Sequence, residues 1–163
     1  MIPFDIEEFL HERIPLTRAL GCQVVSADHS GVRLRAPLDP NTNMHGTAFA
    51  GSLASLSLLS GWVWTVVALR DYGEQATVVV SHCEVAYLAP VDGELDVYCA
   101  PPDSDAWQTC INSLRERGRS RLSLAATVST IDGIAKVRTL CEYAIRRAVR
   151  PGPSDDSATG GVT

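Results

Sequence analysis

The sequence is poor in positive charge. It has fourteen basic residues, only one of them lysine, and nineteen acidic residues, which gives a formal net charge of −5 at pH 7. Proteins that neutralise nucleic-acid phosphates carry a basic excess, so this balance argues against a nucleic-acid partner. The five cysteines form an odd set without a C-x-x-C pair. Most stand in apolar runs, which predicts free thiols in a reducing compartment instead of a disulfide framework.

Several common signals are also missing. The first eight residues carry acids in place of a basic segment, so we expect no signal peptide and a cytoplasmic location. The four histidines show no metal-ligand spacing, and the sequence has neither a G-x-S-x-G elbow nor a glycine-rich phosphate loop. We therefore expect no metal and no cofactor of the protein's own.

Charge is absent altogether between Gly46 and Leu69. A stretch of this length is sufficient to cross a membrane. However, serine, threonine and glycine dilute its apolar residues, and the segments on both sides alternate in the manner of half-exposed strands. We therefore predict a buried core helix and no membrane partner.

Apolar periodicity and turn signals predict the order of the elements. In chain order these are a short helix (Asp5 to Arg13), a strand hairpin (Cys22 to Ala27 and Val32 to Leu38), a long helix (Thr47 to Leu69), a strand pair (Ala76 to Leu88 and Glu94 to Ala100), a helix from Ser104 that Gly118 ends, and a last strand pair (Arg121 to Ile131 and Ile134 to Arg146). The strands of the second pair are expected to be joined by the turn Pro90–Gly93.

The long helix determines the predicted fold class. A helix that is apolar all round must be covered on most sides. A curved antiparallel sheet wrapped around one long central helix does this most simply, which makes the protein α+β. Pairing with a second copy would cover the open sheet edge. We expect a single domain over residues 1–150 and a disordered tail over residues 151–163, where Pro, Gly, Ser, Asp and Thr dominate.

Two sequence runs resemble a known family. Asn43–Leu53 (N-M-H-G-T-A-F-A-G-S-L), with Gly61-Trp62 after it, resembles the helix entrance of hotdog-fold thioesterases and is most similar to the branch typified by the YiiD C-terminal domain. Tyr87–Val91 (Y-L-A-P-V) resembles the third-strand exit of the same superfamily. The resemblance implies a hotdog fold, an obligate homodimer, and active sites at the subunit interface. Whether the dimers assemble further is left open by the sequence. It also implies a substrate carried on coenzyme A or on the phosphopantetheine of an acyl carrier protein.

The sequence departs from this family at one point. Many hotdog thioesterases place an aspartate or glutamate in the first turns of the central helix, where this chain has Gly51, Ser52, Ala54 and Ser55. The chain is therefore similar to acid-lacking members, some of which act in natural-product biosynthesis. These combine a Michael addition of glycine to an enoyl thioester with hydrolysis.

His45, at the start of the long helix, is the predicted general base that activates water. The backbone N–H groups of Gly46 and Thr47 are expected at the positive end of the helix dipole, where they would stabilise the oxyanion of the attacked thioester. The alternative is a histidine that only caps the helix or hydrogen-bonds the loop.

Four further residues are candidates for substrate binding. Asn41 and Asn43, together with Thr47, could orient substrate or water, although these residue types are also common in loops and caps. Ser52 and Ser55 lie where the acid is missing and could hold a water molecule. Their alternative role is to let the helix approach the sheet closely.

Other charged residues leave two interpretations open. Glu84 could supply the missing acid across a dimer, or it could occupy an exposed strand position. A cluster of arginines near the end of the helix that begins at Ser104 could bind coenzyme A phosphates or the acidic face of a carrier protein, or it could be a solvated helix end. Its members are Arg115, Arg117, Arg119 and Arg121.

These observations favour an acyl-thioester hydrolase. This hypothesis has two versions: simple hydrolysis, and hydrolysis preceded by conjugate addition of an amine such as glycine. A hotdog hydratase or dehydratase is the second interpretation, and the missing carboxylate counts against it. A non-catalytic protein that binds acyl thioesters is the third. It predicts binding without turnover.

Overall fold

Four α-helices and one six-stranded sheet make up the part of the chain that a computed structural model describes, residues 5–129 and 133–148. The helices are α1 (Ile6–Arg13), α2 (Pro15–Ala19), α3 (Ala50–Asp71) and α4 (Ser104–Arg117), and a 3₁₀ turn spans Asp39–Asn41. The strands are β1 (Gln23–Asp28), β2 (Gly31–Ala36), β3 (Ala76–Tyr87), β4 (Leu95–Cys99), β5 (Arg119–Ser129) and β6 (Ala135–Arg147). The predicted tail lies outside the described residues.

The strands form an antiparallel sheet in the order β1-β2-β4-β5-β6-β3. The predicted pairing of β1 with β2 and of β5 with β6 is confirmed. The predicted pairing of β3 with β4 is wrong, because β3 lies beside β6 and β4 lies between β2 and β5. The segment between β3 and β4 is instead tied to the start of α3, where the Ala48 N–H donates to the Val91 carbonyl oxygen at 2.7 Å.

Helix α3 forms the centre of the core and contacts all six strands. Its length and composition would allow it to cross a membrane, but 67% of its most apolar window is buried inside the protein. Buried hydroxyl groups on α3 donate to carbonyl oxygens of the preceding turn, each at 2.8 Å: Ser57 to Leu53, Ser60 to Ser57 and Thr65 to Gly61. Because these hydroxyls are satisfied within the helix, they can be buried at little cost. The prediction of a core helix is confirmed.

Gly61 lets α3 approach strand β6 closely. The ring of Tyr143, which is 1% exposed, fills the space above Gly61, and its hydroxyl donates to the Leu58 carbonyl oxygen at 2.8 Å. A Cβ at position 61 would collide with this hydroxyl. Burial also raises the pKa of Tyr143 well above its usual range, so the phenol stays protonated.

All five cysteines are free thiols. Cys83 on β3 and Cys141 on β6 are opposite each other in the register, with their sulfur atoms 2.8 Å apart. Burial, together with the neighbouring Cys83, raises the pKa of Cys141 to about 12. This thiol is therefore protonated at neutral pH.

Strand β3 is an edge of the sheet and is twelve residues long. Most of its side chains are exposed, including the apolar Val79 (53%) and Val80 (40%). Native proteins rarely leave a long apolar edge strand uncovered, because its free N–H and C=O groups can pair with another chain. The expectation that a second copy covers an open edge of the sheet stays a prediction.

Candidate active site

Asn41 anchors the loop that leads into α3. Its side-chain N–H₂ donates to the carbonyl oxygens of Leu20 at 2.9 Å and Pro37 at 2.7 Å, and its backbone carbonyl oxygen accepts the Phe49 N–H at 2.6 Å. The residue is 1% exposed, so a ligand at the surface cannot reach it in this conformation. These contacts indicate a structural role for a residue that the sequence suggested for substrate binding.

Asn43 organises a tight turn that contains the predicted catalytic residues. Its side-chain oxygen accepts the N–H groups of His45 at 2.8 Å and Thr47 at 3.3 Å, and its amide donates to the Thr47 hydroxyl at 3.0 Å. The Gly46 N–H donates to the Asn43 carbonyl oxygen at 3.1 Å. Gly46 has a φ of +75°, a conformation that favours glycine.

Helix α3 begins three residues later than the sequence suggested, at Ala50 instead of Thr47. A short antiparallel bridge between Thr42 and Ala48 holds the preceding segment extended, and Phe49 is the N-cap. The N–H groups of Gly46 and Thr47 are thus outside the helix and already bonded to Asn43. The expectation that they are the free donors at the helix start is wrong.

The free donors are the N–H groups of Ala50, Gly51 and Ser52. Leu53 is the first residue whose N–H bonds back along the helix, to the Phe49 carbonyl oxygen at 3.2 Å, and no side chain of residues 5–129 or 133–148 caps this end. The three groups therefore point away from the helix at the positive end of its dipole. At Gly51 the missing Cβ makes room for the ring of Phe49.

A cavity of about 370 Å³ opens beside this helix end. Its lining comes from the Asn43 turn, the start of α3 and the exit of β3, and consists of Asn43, Thr47, Ala48, Ala50, Leu53, Tyr87, Leu88, Ala89, Pro90 and Val91. The Tyr87 hydroxyl donates to the Ala50 carbonyl oxygen at 2.9 Å, which fixes the β3 exit to the helix. The two sequence runs that resemble hotdog thioesterases therefore meet at one cavity.

His45 is exposed at the tip of the Asn43 turn, whose two ends, Asn43 and Thr47, line the cavity. Among the described residues its imidazole has no hydrogen-bond partner. The alternative role of His45 as a side-chain cap of α3 is not seen, because its side chain makes no hydrogen bond to the start of that helix. The ring can therefore rotate toward a bound substrate.

Ser52 and Ser55 lie in the first turns of α3. Ser52 is 8% exposed and Ser55 is half-buried, and neither hydroxyl has a partner in the part of the chain that the structure describes. In this respect they differ from Ser57 and Ser60 further along the helix, whose hydroxyls bond to the backbone. Their free hydroxyls are compatible with a role in holding water.

No aspartate or glutamate from the described part of the chain lines the cavity. Glu84 is on the solvent side of β3, where its carboxylate is 3.3 Å from the His82 imidazole and its side chain is 73% exposed. Within one chain, it does not face the cavity. Its proposed role across a dimer stays a prediction.

The sequence analysis missed several exposed apolar residues within the segments that border the cavity. Met44, Phe49, Tyr87 and Leu88 are each at least 50% exposed, Met44 as much as 92%. An exposed apolar group of this kind is typical of a ligand or partner site. The similarity of the Y-L-A-P-V run to a family motif was the available signal for Tyr87 and Leu88.

The comparison with known proteins is consistent with this geometry. The model of the family described as "Putative thioesterase (yiiD_Cterm)" matches residues 4–145. A solved structure of a protein of unknown function from Chlorobaculum tepidum TLS is similar, with a TM-score of 0.83 and 25% identity over 88% of this chain and 93% of that one.

Two further solved structures are also similar. The "putative thioesterase" from Shewanella oneidensis has a TM-score of 0.75 and 25% identity, over 85% of this chain and 93% of that one. A "probable thioesterase" from Pseudomonas aeruginosa has a TM-score of 0.78 and 22% identity, over 90% of this chain and 97% of that one. These structures share the hotdog arrangement of a curved antiparallel sheet around a central helix. Because the family model spans most of the sequence, the chain belongs to the yiiD_Cterm thioesterase family.

Proposed function

We propose that this protein hydrolyses acyl thioesters at the cavity beside the start of α3. The observation that carries the proposal is that the uncapped start of α3, with the N–H groups of Ala50, Gly51 and Ser52, and the two ends of the turn that bears His45 border the same cavity. Hydrolysis of a thioester needs a site that stabilises an oxyanion and a base that activates water. This end of the helix offers candidates for both.

The thioester carbonyl oxygen binds at the N-terminus of α3 in this mechanism. Negative charge develops on that oxygen as water attacks, and the N–H groups of Gly51 and Ser52 hydrogen-bond it. The positive end of the helix dipole adds to the stabilisation. Gly46 and Thr47, the donors first predicted, have a supporting role because their N–H groups hold the Asn43 turn.

His45 is the general base in this proposal. Its neutral imidazole takes a proton from the attacking water and later donates it to the departing thiolate. The free hydroxyls of Ser52 and Ser55 are candidates to hold that water, and Asn43 and Thr47 border the path to it. The turn around Asn43 fixes the backbone of His45 while leaving the ring mobile.

The substrate is an acyl chain linked to coenzyme A or to the phosphopantetheine of a carrier protein. The exposed apolar groups within the segments that border the cavity, including Met44, Phe49 and Leu88, fit an acyl chain or a second subunit. We propose that a second copy pairs along β3 and completes the site. Cytoplasmic location belongs to the same proposal, because coenzyme A and carrier-protein thioesters are formed there.

A finer version of the function adds an amine before hydrolysis. In an α,β-unsaturated thioester, the amine nitrogen attacks the β-carbon and the enolate oxygen receives the same helix N–H hydrogen bonds. His45 removes the amine proton and returns it to the α-carbon. The absence of a carboxylate from the cavity lining favours this version, since no negative group would repel the carboxylate of glycine.

Thiol release from a panel of saturated and enoyl thioesters, with and without glycine, tests both versions. Release from saturated substrates supports the hydrolase, and an N-alkylated glycine product from enoyl substrates supports the two-step version. Interconversion of enoyl and 3-hydroxyacyl thioesters without thiol release would favour the hydratase. Binding without any turnover would favour the non-catalytic alternative.

A further inference from the structure

A second cavity, of about 400 Å³, lies at the end of the β5–β6 pair, beside the last turn of α4. Four arginines contribute to its lining, together with Ser113 and Ser120. The arginines are Arg117, Arg119, Arg121 and Arg146. Three of them belong to the cluster noted in the sequence, whereas Arg115 lies outside the cavity and pairs with Glu74 at 2.6 Å.

Most of the positive charge around this cavity is not neutralised. Arg121 pairs with Glu142. Arg117, Arg119 and Arg146 are exposed and have no acidic partner among residues 5–129 and 133–148. The cavity therefore combines three free guanidinium groups.

The backbone geometry places these three guanidinium groups close together. Arg119 on β5 and Arg146 on β6 are direct partners in the antiparallel register, and like charges at such positions destabilise a sheet. Gly118, with a φ of +68°, reverses the chain after α4 and brings Arg117 beside them. Arg117 has an alternative role, because a cation in the last helical turn complements the helix dipole. That role does not account for Arg119 and Arg146.

We propose that this arginine pocket binds the phosphate groups of a coenzyme A thioester, an inference that rests on the proposed function. Guanidinium groups bind phosphate through paired hydrogen bonds, and an anion here would relieve the repulsion between Arg119 and Arg146. Coenzyme A carries a diphosphate and a 3′-phosphate in one compact group that several guanidinium groups around one cavity can bind together. A carrier protein instead presents one phosphodiester and acidic side chains spread over a convex surface.

The pocket serves the active site of the other subunit. The register places Arg146 beside Thr77 at the start of β3, whereas the active-site cavity lies at Tyr87, at the end of that strand. Ten residues of strand span about 33 Å, which is too far for one coenzyme A molecule. Antiparallel pairing of β3 with its copy along its full length would place Tyr87 of the partner subunit opposite Ala76. The backbone of Arg146 would then lie about 10 Å away across two strand spacings, and its side chain projects from the face opposite to Tyr87, so coenzyme A would pass around the end of the joined sheet.

Kinetics with matched substrates test this assignment. The double variant Arg119→Gln/Arg146→Gln should raise KM for an acyl-coenzyme A at least about tenfold with kcat nearly unchanged, since two charge-assisted hydrogen-bonding groups are lost. The same acyl group on pantetheine, which lacks the nucleotide phosphates, should show no change. The control variant Arg13→Gln/Arg18→Gln removes two exposed positive charges from α1 and α2 and should behave as wild type.

Several outcomes would overturn the proposal. These are an unchanged KM for acyl-coenzyme A in the double variant, an equal rise with the pantetheine thioester, or a rise confined to acyl carrier protein, which would assign the pocket to that partner. Calorimetric titration with free coenzyme A gives a readout independent of turnover. Binding that weakens in the double variant would support the pocket even if no thioester is hydrolysed, and equal affinity for wild type and variant would contradict it.

Discussion

At the scale of single residues, glycine and small polar side chains determine how closely α3 approaches its surroundings. Gly61 is the clearest case, because the Tyr143 ring occupies the space where a side chain would be. Ser57, Ser60 and Thr65 show a second solution, in which a buried hydroxyl is satisfied by its own helix. The abundance of small residues in this helix therefore reflects packing as well as chemistry.

Gly61→Ala is predicted to lower the free energy of unfolding by about 1–3 kcal/mol, because the new methyl group overpacks the core against Tyr143. Chemical denaturation measures this. Tyr143→Phe removes the colliding hydroxyl, so Gly61→Ala should cost less in that background. An equal cost in both backgrounds would show that the Tyr143 hydroxyl is not the obstacle.

At the scale of elements, the start of α3 is the feature on which the proposed chemistry depends. Gly51→Pro is predicted to reduce kcat by about 10²–10³-fold, because it removes one N–H group from the oxyanion site. Proline is tolerated in the first turn of a helix, so the fold should persist.

Gly51→Ala is the matched control, because it disturbs the Phe49 ring in the same way but keeps the N–H group. Its kcat should stay well above that of the proline variant, and thermal unfolding followed by circular dichroism checks that both are folded. Equal kcat for the two variants would exclude the Gly51 N–H from the oxyanion site.

The β2–β4 pair supplies a pH-dependent contribution to stability. Asp96 accepts hydrogen bonds from Arg33 at 2.6 and 2.7 Å and from Arg35 at 3.2 Å. Partial burial opposes ionisation of Asp96, but the hydrogen bond and charge of Arg33 outweigh this effect and hold its pKa below the usual value.

A pKa that is lower in the folded state stabilises the fold above the unfolded pKa of about 3.9, and this contribution disappears as the pH falls through the folded pKa. Asp96→Asn is therefore predicted to lower the free energy of unfolding at pH 7 by no more than about 1 kcal/mol. Its deficit relative to wild type should shrink between pH 5 and about pH 3. A deficit that is the same at every pH would contradict this account.

Local signals in the sequence were enough for the hairpins and for the core helix, but not for the sheet order. The Asp132-Gly133 turn signal correctly predicts that β5 pairs with β6, because a hairpin depends on adjacent residues. The Pro90–Gly93 segment has similar composition, yet it bonds to Ala48 through a long-range contact that local patterns do not record.

The same limit applies to the site. Asn43 and Thr47 could be found from the family-like run, and the structure brings both to the cavity. The start of α3 was misplaced because an uncharged run does not reveal the bridge between Thr42 and Ala48. Arg146 was missed from the arginine pocket since only the register of β5 with β6 brings it to Arg119.

At the scale of the whole molecule, the uncovered edge of β3 predicts how two copies assemble. Val80 lies opposite Tyr143 in the register and therefore faces the inner side of the sheet at this edge. Val80→Lys is predicted to convert a dimer into monomers, because a lysine at an edge strand opposes strand pairing.

Light scattering after size-exclusion chromatography measures this change. Ser123→Lys, on the exposed face of β5 and away from the edge, is the control and should stay dimeric. A Val80→Lys protein with the mass of a dimer would place the interface elsewhere.

The most direct measurement of the central claim compares kcat/KM for thioester hydrolysis by wild type and by His45→Ala. A general base contributes about 10²–10⁴-fold, and we predict a loss in that range with little change in thermal stability, since the His45 ring is exposed. His29→Ala, which removes an exposed histidine that pairs with Asp71, is the matched control and should retain wild-type activity. Hydrolysis by His45→Ala at the wild-type rate would contradict the role of His45 as the base.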